Sequence, residues 1–270
     1  MRTNGGEARP SRTLAAIFEE AVTVLRQDLS EYGYIALCGG FTAALLATVL
    51  RYIDTPISLA LAVIVIGLAA VGTLATCAAA LERIQHGLQP DSGRSFADAL
   101  QRAPWFVARS LPPMLVLATG VFISSAFGDD FGRWVTLPLN VLFVFAAIYL
   151  ALPVPMYVAA MFSRDASPHE ASMRTAAIIQ GSRSIVVAAL MIALAPAELA
   201  TAVALLAHFG TMTTALFAFA AVISMPLVAS MLALIHAELA PWAGGAAQQR
   251  PRVATPQASN VAARLDRHIR

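Results

Sequence analysis

The chain contains no lysine, since all 18 of its basic residues are arginine. A P-loop needs a lysine on the terminal phosphates, and pyridoxal phosphate or imine chemistry needs a lysine amine, so those activities are excluded. Cysteine is nearly absent too: Cys38 and Cys77 lie inside apolar runs and offer neither a disulfide framework nor a metal-ligand spacing. Each reads as a small packing residue. Charge of either sign is sparse, at 13% of residues, where a soluble domain carries about a quarter. The formal charge of +2 provides no basic surface for nucleic acid. Gly-x-Ser-x-Gly, His-Glu-x-x-His and Gly-x-Gly-Asp are all missing, so serine, zinc and aspartyl hydrolysis lack their residues. A non-enzymatic protein without cofactor or metal is the expectation.

What the sequence has in abundance is apolar surface, 58% of residues at a mean hydropathy of +0.70. It is gathered into long runs, and about 20 apolar residues suffice for a helix to cross the hydrocarbon core. Six runs qualify: Tyr32 to Leu50, Pro56 to Leu81, Leu111 to Phe127, Trp134 to Phe162, Ser184 to Ala207 around Glu198, and Thr211 to Ala240, charged only at Glu238. The fourth holds Pro153 and Pro155, where a helix loses backbone hydrogen bonds and should kink or end. The polar stretch Met1 to Arg12 lacks the short apolar core of a cleaved signal peptide.

Arginine placement predicts the orientation. Sixteen of the 18 fall before the first run, between the second and third, between the fourth and fifth, or after the sixth. The other connections hold only Arg51 and Arg133. By the positive-inside rule both termini should be cytoplasmic. The outer connections are very short, so a surface for partners is expected on the cytoplasmic face.

Before the first, third and fifth runs lies a segment with helical apolar spacing. Thr13 to Leu29 places Leu14, Ile17, Phe18, Ala21, Leu25 and Leu29 on one face. Because the remainder is largely acidic, that helix should pack on protein rather than on anionic lipid. Ser95 and Asp98 match a capping box before Phe96, Ala99, Leu100 and Ala103, and Ser167-Pro168-His169-Glu170 announces a third helix start. The fold class predicted is all-α, six transmembrane helices arranged as three hairpins, each preceded by an amphipathic helix on the cytoplasmic surface. The repeat units are 13–81, 95–162 and 168–240, flanked by flexible tails at 1–12 and 241–270. Small residues should line helix contacts, as Ala189, Ala193 and Ala197 do in the fifth run and Ala75 and Ala79 in the second.

Glu198 is the polar residue that most invites a function, because an ionisable group inside a span is costly. It lies about 21 Å along the fifth span at 1.5 Å per residue, where Asn140, Ser124, Ser125 and His208 share its expected depth. Together they could form a polar pocket for a proton or a cationic group. Alternatively, Glu198 bonds backbone groups freed at a kink by Pro196. His236 and Glu238 point about 200° apart on a helix and read as interface anchors. His86 and Glu82 share a face but need two further ligands to hold a metal.

From Ile148 to Ala193 the pattern resembles the YciC-like group and the membrane domain attached to some glycerophosphodiester phosphodiesterases. The residues that carry this are Leu152-Pro153-Val154-Pro155, Ala171-Ser172-Met173-Arg174 and Gly181-Ser182-Arg183. The acidic residue such proteins often place after the prolines is missing from Met156 to Ser163. The resemblance implies a bacterial six-span architecture and no particular activity. Two classes of function follow: an accessory or scaffold that organises lipids or a protein partner, alone or as a homo-oligomer, and a small transporter or lipid-handling protein with its site near Glu198. The short outer loops and the shortage of polar residues inside the spans favour the first.

Overall fold

The computed structural model describes residues 12–163, 167–206 and 211–249. These form helices throughout, with no strand among them: α1 (Leu14–Gln27), α2 (Leu29–Ile53), α3 (Pro56–Gln85), α4 (Ser92–Phe131), α5 (Arg133–Ala151), α6 (Pro153–Met161), α7 (Pro168–Leu206), α8 (Thr211–Ile223) and α9 (Met225–Gln249). Six helical stretches are long and apolar enough to cross a membrane, which makes this a multi-pass membrane protein.

Local chemistry sets the boundaries. Thr13 caps α1, accepting from the Ala16 amide at 3.3 Å. Between α2 and α3 the chain reverses in two residues: Asp54 takes the left-handed conformation at φ 52°, then Thr55 and Ser58 exchange side-chain and backbone bonds ahead of Pro56. Gly132, at φ 66°, is all that separates α4 from α5. The expected box at Ser167 and Glu170 forms, each side chain bonding the other residue's amide at 3.3 Å.

Three boundaries differ from the sequence expectation. Asp91, not Ser95, caps α4, accepting from the Arg94 amide at 3.1 Å, while Ser95 is fully buried in the first turn. Second, the segments ahead of the third and fifth spans run continuously into them. Both α4 and α7 are therefore about 40 residues long, α7 broken only by the non-helical backbone of Ser182. Third, α9 carries on to Gln249, past the boundary set at residue 240. The fourth span does break at its prolines, between α5 and α6. The sixth breaks too, at Ser224, because Pro226 has no amide to continue the ladder from α8.

The helices pack in an ordered series. α5 lies against α4, α4 against α3, α3 against α2, α2 against α8 and α8 against α7, while α9 sits among α1, α3, α6 and α7. The main core gathers where α9 meets the second half of α3 and all of α6: Leu74 to Leu81, Met156 to Met161, Met231, Leu232 and Ile235 are buried there. Ile17 and Ala21 of α1 complete it, with Leu14, Phe18 and Leu25 packed alongside, although Leu29 at the head of α2 is exposed. A smaller cluster of Ala43, Ala47, Ala218 and Val222 joins α2 to α8. That contact depends on Gly40, where a Cβ would stand 2.9 Å from the Phe219 ring. The alanine stripes of α7 and α3 are buried: Ala189, Ala193, Ala197, Ala75 and Ala79 all show 4% exposure or less.

Candidate functional site

The polar residues singled out inside the spans separate onto two parts of the bundle. Ser124 of α4 and Asn140 of α5 come together, the serine hydroxyl donating to the asparagine carbonyl oxygen. They line a groove of about 360 Å³ between the two helices, with Leu117, Gly120, Phe143 and Val144. Ser125 also borders this groove, but its hydroxyl donates to the Val121 carbonyl of its own helix at 2.8 Å. The walls are mostly apolar, and the two polar side chains already bond each other.

Glu198 is not part of this groove. It stands exposed on α7, beside the exposed Leu199, while the buried stripe of Ala189, Ala193 and Ala197 faces the bundle. α7 packs on α6, α8 and α9, whereas α4 and α5 pack on each other, so among the described residues Ser124, Ser125 and Asn140 are not gathered around Glu198. Helix sense explains this: neighbours on α7 rotate by 100°, so a carboxylate next to a buried alanine is turned well away from the core. His208 lies outside the described residues. His86 closes the end of α3, its Nδ1 2.7 Å from the Glu82 carbonyl oxygen. Among the described residues no three His, Cys, Asp or Glu side chains converge as a metal site.

A different polar assembly occupies the end of the bundle where α3 finishes and α4 begins. The Arg102 guanidinium of α4 donates to the Met161 carbonyl at 2.6 Å, approaches Glu82 of α3 at 3.4 Å and lies 4.6 Å over the Phe162 ring. Met161 closes α6, so this arginine satisfies a terminal carbonyl and places positive charge at the negative end of a helix. Nearby, Arg83 of α3 pairs with Asp98 of α4 at 3.6 Å, and the Ser92 amide of α4 donates to Glu31 of α2 at 3.1 Å. Arg12, just ahead of α1, pairs with Glu20 and reaches Glu238 of α9 at 3.2 Å. Among the described residues, every ion pair that joins two helices at a distance in sequence belongs to this end.

The placement of these arginines in the sequence gives orientation and leaves their partners open. One signal was available: Arg102 and Arg109 are seven apart on α4, hence on one face, and both stand over aromatic rings of the segment at α6, Phe162 and Tyr157. The ion pairs themselves join residues 15 to more than 200 positions apart, which no local spacing reveals. None of the family models, curated proteins or solved structures compared with the chain matches it.

Proposed function

We propose that this protein is a non-enzymatic accessory or scaffold of a bacterial cytoplasmic membrane, organising lipids or a protein partner from its inner face. In this reading the bundle consists of three hairpins, each entered from an amphipathic stretch at the inner surface, with both termini cytoplasmic. The observation that supports it best is the concentration of inter-helix ion pairs at one end. Arg12 with Glu238, Arg83 with Asp98, and Arg102 with Glu82 tie the head of α1 to α9 and α3 to α4, forming a charged platform where the arginine-rich connections lie. A fixed charged platform suits docking, while alternating access needs helices that rock past each other.

The bias of arginine toward these connections supports the cytoplasmic orientation. The likeness of Leu152 to Pro155 and Gly181 to Arg183 to YciC-like proteins points to the same architecture. A small transporter or lipid-handling protein built around Glu198 has less support, because Glu198 and the Ser124–Asn140 pair lie on separate helix groups.

The test is native mass spectrometry of the protein extracted together with its surrounding membrane. A protein companion in fixed ratio is expected, and its identity names the process served. Absence of any such companion, together with solute flux through the purified protein in sealed vesicles that Glu198→Gln abolishes, would overturn the reading.

A further inference from the structure

Three segments lead into spans: α1 into α2, the first half of α4, and the part of α7 before Ser182. Each buries one face, and the outward faces differ in chemistry. On α1 that face carries Glu19, Thr23 and Arg26. On α7 it carries His169, Glu170 and Gln180, with Met173 the one large apolar side chain exposed among the described residues. On α4 the outward face is apolar. Phe96, Leu100 and Trp105 are 58%, 62% and 54% exposed, while Ala99 and Phe106 are buried. Asp98 and Arg102 turn to Arg83 and Glu82 of α3, so no acidic side chain interrupts the exposed row. The first half of α4 therefore has two apolar faces, of which the bundle covers one.

We propose that the first half of α4 lies in the headgroup layer of the membrane and sets Phe96, Leu100 and Trp105 among the acyl chains beneath it. Continuity decides for lipid over protein as the cover. Ala97, Leu100, Pro104 and Ala108 are exposed at spacings of three and four, and the row runs on through Leu115 and Phe122, which the span turns outward. From Ala97 to Phe122 that row extends about 38 Å at 1.5 Å per residue, against about 30 Å of hydrocarbon. An upright α4 would carry Phe96 and Leu100 out into water. An inclined one keeps the whole row on lipid, and Pro104, Pro112 and Pro113, each lacking an amide for the ladder, let the helix bend that way. Trp105, an apolar ring with a polar N–H, suits the headgroup layer. The proposal deepens the accessory reading and rests on it for the side of the membrane, the inner leaflet being the one contacted.

Tryptophan quenching reads the depth directly. With Trp105→Phe, Trp134→Phe and Trp242→Phe, a single tryptophan is introduced by Phe96→Trp, by Leu100→Trp or, on the outward face of α1, by Thr23→Trp. The full chain is placed in nanodiscs of phosphatidylcholine with or without brominated acyl chains. Emission from positions 96 and 100 should fall by roughly half with brominated chains, as for a helix buried about 5–10 Å into the boundary between headgroups and chains. It should also resist aqueous acrylamide, and position 23 should show the reverse. Quenching of positions 96 and 100 by acrylamide alone overturns the proposal, because the segment then stands in water. Protection from both quenchers overturns it too, because a second copy or a partner then covers the row. Native Trp105, left alone by Trp134→Phe and Trp242→Phe, gives the same reading with every residue of the row unchanged, so misfolding of a variant cannot hide the result. Either failure leaves the accessory reading standing, because that reading depends on a protein companion in fixed ratio. Quenching by brominated chains without such a companion supports the lipid contact and overturns that reading alone.

Discussion

The α5 and α6 segments come from one apolar run, yet they meet opposite surroundings. Along α5, Trp134, Leu142 and Phe145 are 94%, 64% and 67% exposed, whereas Met156, Val158 and Ala160 of α6 show no exposure. Composition does not separate them by polarity, for both are predominantly apolar, α6 holding Val, Ala, Met and Tyr157 beside its two prolines. What separates them is direction. Pro153 ends the ladder of α5 and lets the next turns swing in among α4, α7 and α9, while α5 stays at the edge against α4. Hydropathy thus specifies the medium a segment tolerates, lipid or core, and not which of the two it meets. The sixth span repeats the device: Pro226 sets off α9, whose Val228, Met231, Leu232 and Ile235 are buried.

The largest expected effect comes from truncating one large side chain on each side of the elbow. Met156→Ala should lower stability by about 3 kcal/mol, because the cavity it leaves in the core cannot be filled by lipid. Phe145→Ala removes a larger side chain but should cost under about 0.5 kcal/mol, since acyl chains move into the vacated space and lipid adds no hydrophobic drive. Thermal unfolding of both variants in nanodiscs checks this. A Phe145→Ala loss as large as that of Met156→Ala would break the comparison and place a protein surface against α5.

How far the fold was legible follows from the same contrast. Features encoded within a few residues could be read directly: the Ser167–Glu170 box, the break at Pro153, and the buried alanine stripe of α7 each depend on spacings of two to eight positions. The six spans were legible because membrane thickness imposes a length on any sequence. The site was less so. Asn140 and Ser124 do meet, since they share depth on consecutive antiparallel spans, but depth leaves rotation open, and Glu198 faces outward. Arg102 reaches both Glu82 and the Met161 carbonyl through the way α4 crosses α3 and α6, a tertiary fact with no local trace. Pro226 is equally visible in the sequence, but a proline inside a long apolar run is often tolerated in membrane helices, so its presence alone does not mark the break at Ser224.

A smaller effect should sharpen the account of why α5 stays at the edge. Its contact with α4 passes over Gly120, where an added Cβ would stand 2.8 Å from the Phe143 Cβ. Gly120→Ala should therefore push α5 outward and cost about 1–2 kcal/mol through overpacking. Cross-linking between cysteines placed on facing positions of α4 and α5 reads the displacement directly. Unchanged cross-linking together with unchanged melting would mean that this pair of helices is not held by close approach.

The smallest expected effect concerns a polar tie across that same contact. Ser124 donates to Asn140 within apolar walls, and hydrogen bonds between membrane helices contribute on average only about 0.6 kcal/mol, because the separated helices find other partners. Ser124→Ala frees the Asn140 carbonyl oxygen, while Asn140→Leu frees the serine hydroxyl to bond its own helix, so the second variant should be the milder. The double variant then isolates the coupling, expected near that same value. A coupling several times larger would show that the α4–α5 pair depends on its polar tie more than on fit at Gly120. The edge position of α5 would then be fixed by a single hydrogen bond, and the groove beside it would be the part of the bundle most easily opened.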